Sequence, residues 1–102
     1  MAFDIAGKAA LVTGGGSGIS LAFTKKLIER SCNVVIADLA LRPEAEDLVN
    51  DSKDTKPRVA FVKTDVTDWQ QIQHAFDEAV SEFGRLDIVC PGAGIFEPVW
   101  SP

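Results

Sequence analysis

Short apolar runs alternate with longer stretches of helical spacing along the whole chain. Lys8 to Thr13 carries the first run, Ala9-Ala10-Leu11-Val12, and reads as a strand. From Ile19 to about Arg30, the residues Ile19, Ala22, Phe23 and Leu27 fall on one side of a helix. Val34 to Asp38 is continuously apolar up to its last residue, which predicts a parallel strand covered on both faces. Asn33 just before it is suited to a left-handed turn after Cys32.

Pro43 to Ser52 predicts a second helix, with Pro43 in its first turn and Ala45, Leu48 and Val49 facing inward. The polar segment Asp51 to Pro57 is a surface loop, and Arg58 to Lys63 is a third strand. Asp65-Val66-Thr67-Asp68 opens a third helix, with Thr67 and Gln70 at capping-box spacing and Asp68 matched to the positive helix end. Trp69, Ile72, Phe76, Ala79 or Val80, and Phe83 form its expected buried stripe, and Gly84 ends it. His74 lies about 200° around that helix from Ile72 and is expected in solvent. Leu86 to Cys90 is a fourth strand. The alternation predicts an α/β fold with a doubly wound parallel sheet of four strands, in the order 3-2-1-4.

The junction of the first strand and first helix, Thr13-Gly14-Gly15-Gly16-Ser17-Gly18-Ile19-Ser20, is where chemistry is concentrated. A strand, a glycine-rich turn and a helix start form a phosphate-binding turn. Glycines let a diphosphate approach the backbone, and the helix's free N–H groups and dipole favour its charge. A strict G-x-G-x-x-G fails because Ile19 stands at the third glycine, and no Gly-Lys-Ser/Thr makes a P-loop. A glycine-rich connection that binds nothing is the alternative reading. Asp38 ends the second strand twenty residues beyond Gly18, where an acidic residue would accept hydrogen bonds from an adenosine ribose. Its charge disfavours a 2′-phosphate, so NAD is expected over NADP, although Arg42 nearby keeps NADP open. An aspartate that only caps the following helix is the rival.

The pattern T-G-x-x-x-G-I-x, with Gly14, Ser17, Gly18 and Ile19, resembles the cofactor turn of the short-chain dehydrogenase/reductase family, where a further glycine replaces Ser20. Asp65-Val66 resembles the family's third-strand pair. The resemblance implies that Asp65 meets the adenine amine while the Val66 backbone reads the ring edge; a turn or capping aspartate is the competing account. Leu86-Asp87-Ile88-Val89 followed by Gly92-Ala93-Gly94 resembles the family's fourth-strand segment, with Pro91-Gly92 in place of its two asparagines. Gly92, Ala93 and Gly94 would let the cofactor approach the backbone. The resemblance spans nearly the whole chain and implies the NAD-binding N-terminal half of an oxidoreductase that moves hydride between a nicotinamide cofactor and an alcohol or carbonyl compound.

In that family a serine, a tyrosine and a lysine (Tyr-x-x-x-Lys) carry out the chemistry beyond the fourth strand. These 102 residues contain no tyrosine and stop at Pro102, so the expectation is cofactor binding without catalysis by this truncated chain. A non-catalytic dinucleotide-binding or pairing module, or a decayed remnant without ligand, are the other readings. A fourth strand left as an open edge predicts marginal stability or self-association.

Composition narrows the setting. A chain of 102 residues is expected to be one domain, 1–102, and a net charge of −5 argues against nucleic acid or an anionic membrane. No apolar run approaches a membrane span, and Met1-Ala2-Phe3-Asp4 lacks the features of a signal peptide, so a cytoplasmic location is expected. Cys32 and Cys90 fall on strands that are not neighbours, which predicts free, half-buried thiols. One histidine and no paired cysteines leave no metal site in view.

Overall fold

The computed structural model describes residues 4–14, 18–40, 43–52 and 57–91, with Gly18 and Ile19 described by their backbone alone. Four parallel strands are ordered β3-β2-β1-β4: β1 (Ala9–Thr13), β2 (Asn33–Asp38), β3 (Val59–Lys63) and β4 (Ile88–Pro91). Three helices connect them, α1 (Gly18–Glu29), α2 (Pro43–Asp51) and α3 (Trp69–Phe83). The α/β fold class, the four strands and their order are those expected from the alternation of runs.

Successive residues of each strand point to opposite faces, and this divides the core in two. Ala10, Val12, Val34, Ile36 and Val59 pack with Leu21 and Leu27 of α1 and Ala45 of α2. Leu11, Val35 and Ala37 pack with Ala75 and Ala79 of α3 on the opposite face. The central strands β1 and β2 are therefore buried on both sides, which is why they read as unbroken apolar runs. The outer strand β4 is covered less, with Ile88 half-buried against the first cluster and Val89 exposed.

Several local expectations are corrected. The buried side of α1 is formed by Ser20, Leu21, Thr24 and Leu27, whereas Ala22 and Phe23 are exposed. Two polar residues tolerate that side because the Thr24 hydroxyl donates to the Ser20 carbonyl at 2.9 Å, leaving it with a partner inside the core. Trp69 is not part of the α3 stripe: at the helix's first position it is 72% exposed, while of the alternatives Ala79 and Val80 it is Ala79 that is buried. The small residues Ala75 and Ala79 take the contact line, letting the helix lie close to the sheet. Phe76 and Phe83 flank them, half-buried.

The cap of α3 is also shifted by one residue from the Thr67–Gln70 expectation. Asp68 is the N-cap and accepts from the Gln70 N–H at 2.9 Å, while Thr67 turns back to Asp65. Gly84 ends the helix in the left-handed conformation, φ 74°, as expected. The left-handed residue after α1 is Ser31, φ 64°, and not Asn33. Asn33 is the first residue of β2, where its side chain bridges two neighbours: Oδ1 accepts from Arg58 N at 2.8 Å and Nδ2 donates to the Lys8 carbonyl at 3.4 Å.

Both cysteines are free, but Cys32 is fully buried and only Cys90 is half-buried. Burial pushes both thiols up from their ordinary pKa. His74 is exposed as expected, with Glu78 one helical turn away at 4.0 Å.

Candidate dinucleotide site

Parallel pairing brings the C-terminal ends of all four strands to one edge of the sheet. Thr13 is in register with Ala37 on one side and Pro91 on the other, and Asp38 is in register with Lys63. Two backbone hydrogen bonds extend this alignment past the strands. Gly14 N–H donates to the Ala37 carbonyl at 2.7 Å, and Thr64 N–H donates to the Asp38 carbonyl at 2.8 Å. The turn after β1, the acidic end of β2 and the turn after β3 thus stand side by side.

Gly14 has φ 68°, a left-handed conformation that a residue with a Cβ adopts at a cost. The chain leaves the sheet there and α1 opens at Gly18, so the N–H groups of the helix's first turn, which have no partner within the helix, follow closely on the end of β1. The Thr13 hydroxyl reaches across to the Cys90 carbonyl at 3.5 Å, linking the ends of β1 and β4.

Asp38 is half-buried, and its Oδ1 accepts from the Leu39 N–H at 2.7 Å. Leu39 beside it is exposed. Asp65 is held from several directions. Its N–H donates to Gln71 Oε1 at 2.8 Å, and its carbonyl accepts from Asp68 N–H at 2.9 Å. Oδ1 accepts from both the N–H and the hydroxyl of Thr67, at 2.9 and 2.6 Å. These bonds to Thr67 hold the carboxyl below the usual carboxylate range. The Asp65 side chain thus fixes a turn with Oδ1, while Oδ2 stays outside the turn's own hydrogen bonds. Val66, the next residue, is exposed on that turn.

Of the residues expected at the site, Gly14, Asp38, Asp65 and Val66 are brought to one edge, with the backbone of Gly18 and Ile19 opening α1. Ser17, Gly92, Ala93 and Gly94 lie outside the described residues, as does Arg42. Sequence reasoning passed over Gln71 at the site and gave no role to Asp87, which lies at the opposite edge of the sheet beside the start of β1. The Asp87 carboxylate takes a two-pronged contact from Arg85, at 2.7 and 2.9 Å, and accepts from the Ala9 N–H at 3.0 Å. The opposite charges two residues apart, just before an apolar run, were the available signal. Among the described residues no group of three metal-ligating side chains gathers, and no helix is long and apolar enough to cross a membrane.

A parallel 3-2-1-4 sheet with a glycine turn after β1, an acidic residue ending β2 and another just past β3 defines a Rossmann-like α/β protein. The family model for short chain dehydrogenases matches residues 8–101, and the chain belongs to that family. It is 42% identical over 91 residues to a cis-4-hydroxycyclohexanecarboxylate dehydrogenase of Sinomonas cyclohexanicum, covering 89% of this chain and 36% of that protein. It is 35% identical over 97 residues to a hydroxynaphthalene reductase-like protein of Metarhizium guizhouense, covering 93% and 36%. The chain therefore spans about a third of the length of these curated relatives. Among solved structures, a short chain dehydrogenase/reductase from Burkholderia phymatum in complex with NAD superposes with a TM-score of 0.71 at 30% identity, over 86% of this chain and 31% of that one. A Sphingobium structure in its apo form gives 0.71 at 39% identity, covering 87% and 33%.

Proposed function

We infer that these residues form the NAD-binding part of a short-chain dehydrogenase/reductase, an oxidoreductase that exchanges hydride between nicotinamide and an alcohol or carbonyl substrate. The observation that carries this reading is the alignment of Gly14, Asp38 and Asp65 by the Gly14–Ala37 and Thr64–Asp38 backbone bonds. On this reading Gly14, Ser17, Gly18 and Ile19 receive the diphosphate on glycine backbone and the start of α1. Asp38 accepts from the ribose hydroxyls, Asp65 and Val66 take the adenine, and Gly92, Ala93 and Gly94 admit the cofactor near β4. The left-handed Gly14 and the Oδ2 of Asp65 left outside the turn are features of the chain that fit such a ligand.

The Asp38 carboxylate repels a 2′-phosphate, which favours NAD over NADP. When bound, the nicotinamide supplies or accepts the hydride; the residues here hold and orient it. No catalytic residue is assigned, because the 102 residues contain no tyrosine to serve as the family's phenolic acid. The supporting relatives are named a hydroxycyclohexanecarboxylate dehydrogenase and a hydroxynaphthalene reductase-like protein, and a carbonyl or alcohol substrate is the class proposed for the protein as a whole.

Fluorescence titration of the folded chain with NADH and NADPH tests this. Saturable NADH binding, weaker NADPH binding and a loss of about tenfold or more in affinity for Asp38→Ala are expected, since hydrogen bonds to a charged group contribute about 1.5–3 kcal/mol. A folded sample that binds neither cofactor overturns the reading.

A further inference from the structure

We propose that Gln71, on the first turn of α3, is a positioning residue that sets the Asp65 carboxylate for discrimination of the adenine amine; this rests on the cofactor reading above. Gln71 uses both ends of its amide. Oε1 accepts from the Asp65 N–H at 2.8 Å and Nε2 donates to Asp68 Oδ2 at 3.2 Å. One side chain therefore ties Asp65, in the turn two residues past β3, to the N-cap of the helix. With the Asp68 N–H on the Asp65 carbonyl and both Thr67 donors on Oδ1, every backbone group of Asp65 and one carboxylate oxygen have a fixed partner.

The arrangement leaves Asp65 one degree of freedom that matters, the direction of Oδ2. Rotation of the carboxylate is limited by Thr67, which sits on the same turn. Rotation of the turn as a whole is limited by Gln71, whose backbone belongs to α3 and is independently anchored by packing of Ala75 and Ala79 against the sheet. Without that bond the Asp65 N–H would be free to tilt with the turn. The side-chain hydrogen bonds of Gln71 go to Asp65 and Asp68, at the adenine end of the proposed site.

The test compares affinities for NADH and for its hypoxanthine analogue, in which a carbonyl oxygen replaces the adenine amine. The ratio of the two dissociation constants isolates the amine contact, and a general loss of stability leaves the ratio unchanged. In the full chain the ratio is expected to exceed about five, and Asp65→Ala brings it near one. Gln71→Met, which keeps the length without hydrogen bonds, is expected to lower the ratio at least threefold while circular dichroism shows a folded protein. Gln71→Glu keeps the acceptor for the Asp65 N–H and is expected to retain more of the discrimination than Gln71→Met.

A Gln71→Met or Gln71→Ala protein that is folded, binds NADH and keeps the original ratio overturns the proposal. So does a ratio near one in the unaltered chain, or one unaffected by Asp65→Ala. No binding of NADH by the folded, unaltered chain would overturn the cofactor reading itself, a distinguishable result.

Discussion

Asp87 and Ala9, 78 residues apart in sequence, are joined twice: Asp87 Oδ2 accepts from the Ala9 N–H at 3.0 Å, and Asp87 N–H donates to the Ala9 carbonyl at 2.9 Å. This double contact starts the β1–β4 pairing that carries the Thr13 and Cys90 ends to the candidate site. Arg85 closes on the other side of the carboxylate.

The contact makes stability dependent on acid. The bond from Arg85, with the Ala9 N–H, holds the Asp87 carboxyl at about 2. An unfolded aspartate titrates near 4, so the contribution is fully present above about pH 4 and disappears as pH falls through about 2. Thermal melts between pH 5 and pH 2 are expected to show a shallower loss of melting temperature for Asp87→Asn than for the unaltered chain. Equal slopes would show that Asp87 does not couple protonation to folding.

Ser52 joins the end of α2 to β3. Its hydroxyl accepts from the buried Val59 N–H at 2.8 Å and shares its proton between the Val49 and Val59 carbonyls, at 3.2 and 3.3 Å. Ser52→Ala leaves that N–H unmet inside the protein, and urea unfolding is expected to show a loss of about 1–3 kcal/mol. A change of a few tenths would mean that water reaches the Val59 amide.

Gly84 offers a cleaner measurement of backbone strain. It has φ 74°, and a Cβ added there meets nothing within 4 Å. Gly84→Ala is thus expected to cost only the left-handed penalty, about 1–2 kcal/mol. A larger loss in the same urea experiment would point to a steric clash that the open space around Gly84 excludes.

Trp69 and Ala79 lie on the same helix with opposite expectations. Trp69 is 72% exposed, so Trp69→Ser is expected to change stability by no more than about 0.5 kcal/mol. Ala79 is fully buried against the sheet, and Ala79→Leu is expected to destabilise by about 1–3 kcal/mol through overpacking. Acrylamide quenching of Trp69 fluorescence in a Trp100→Phe background checks the exposure directly. Strong protection from quenching would contradict it.

Much of the candidate site was legible because its parts are punctuation. Thr13-Gly14 at a strand's end, Asp38 closing an apolar run and Asp65 before a helix are each visible without knowing where the chain goes next. Their proximity depended on the doubly wound order of the sheet, in which parallel pairing puts the C-terminal end of every strand on one edge. Gln71 escaped notice because a glutamine early in a helix looks like an ordinary solvated residue. Its importance lies in a bond to the backbone of Asp65, six residues back across a turn.

The sequence by itself determined the element types, because the repeat of burial along a strand or helix is written in apolar spacing, and the observed β3-β2-β1-β4 order is the doubly wound one that the alternation of strands and helices suggests. Only the tertiary structure decided which side of each element faces inward where the choice was close. The α1 helix buries Ser20 and Thr24 in preference to Phe23, and α3 buries Ala75 and Ala79 in preference to Trp69. The physical reason is that close approach to a sheet rewards small side chains, and a polar one is admitted when its hydrogen bond is met inside, as Thr24's is by the Ser20 carbonyl. The same holds for the contact between Asp87 and Ala9, which strand register brings together across 78 residues of sequence.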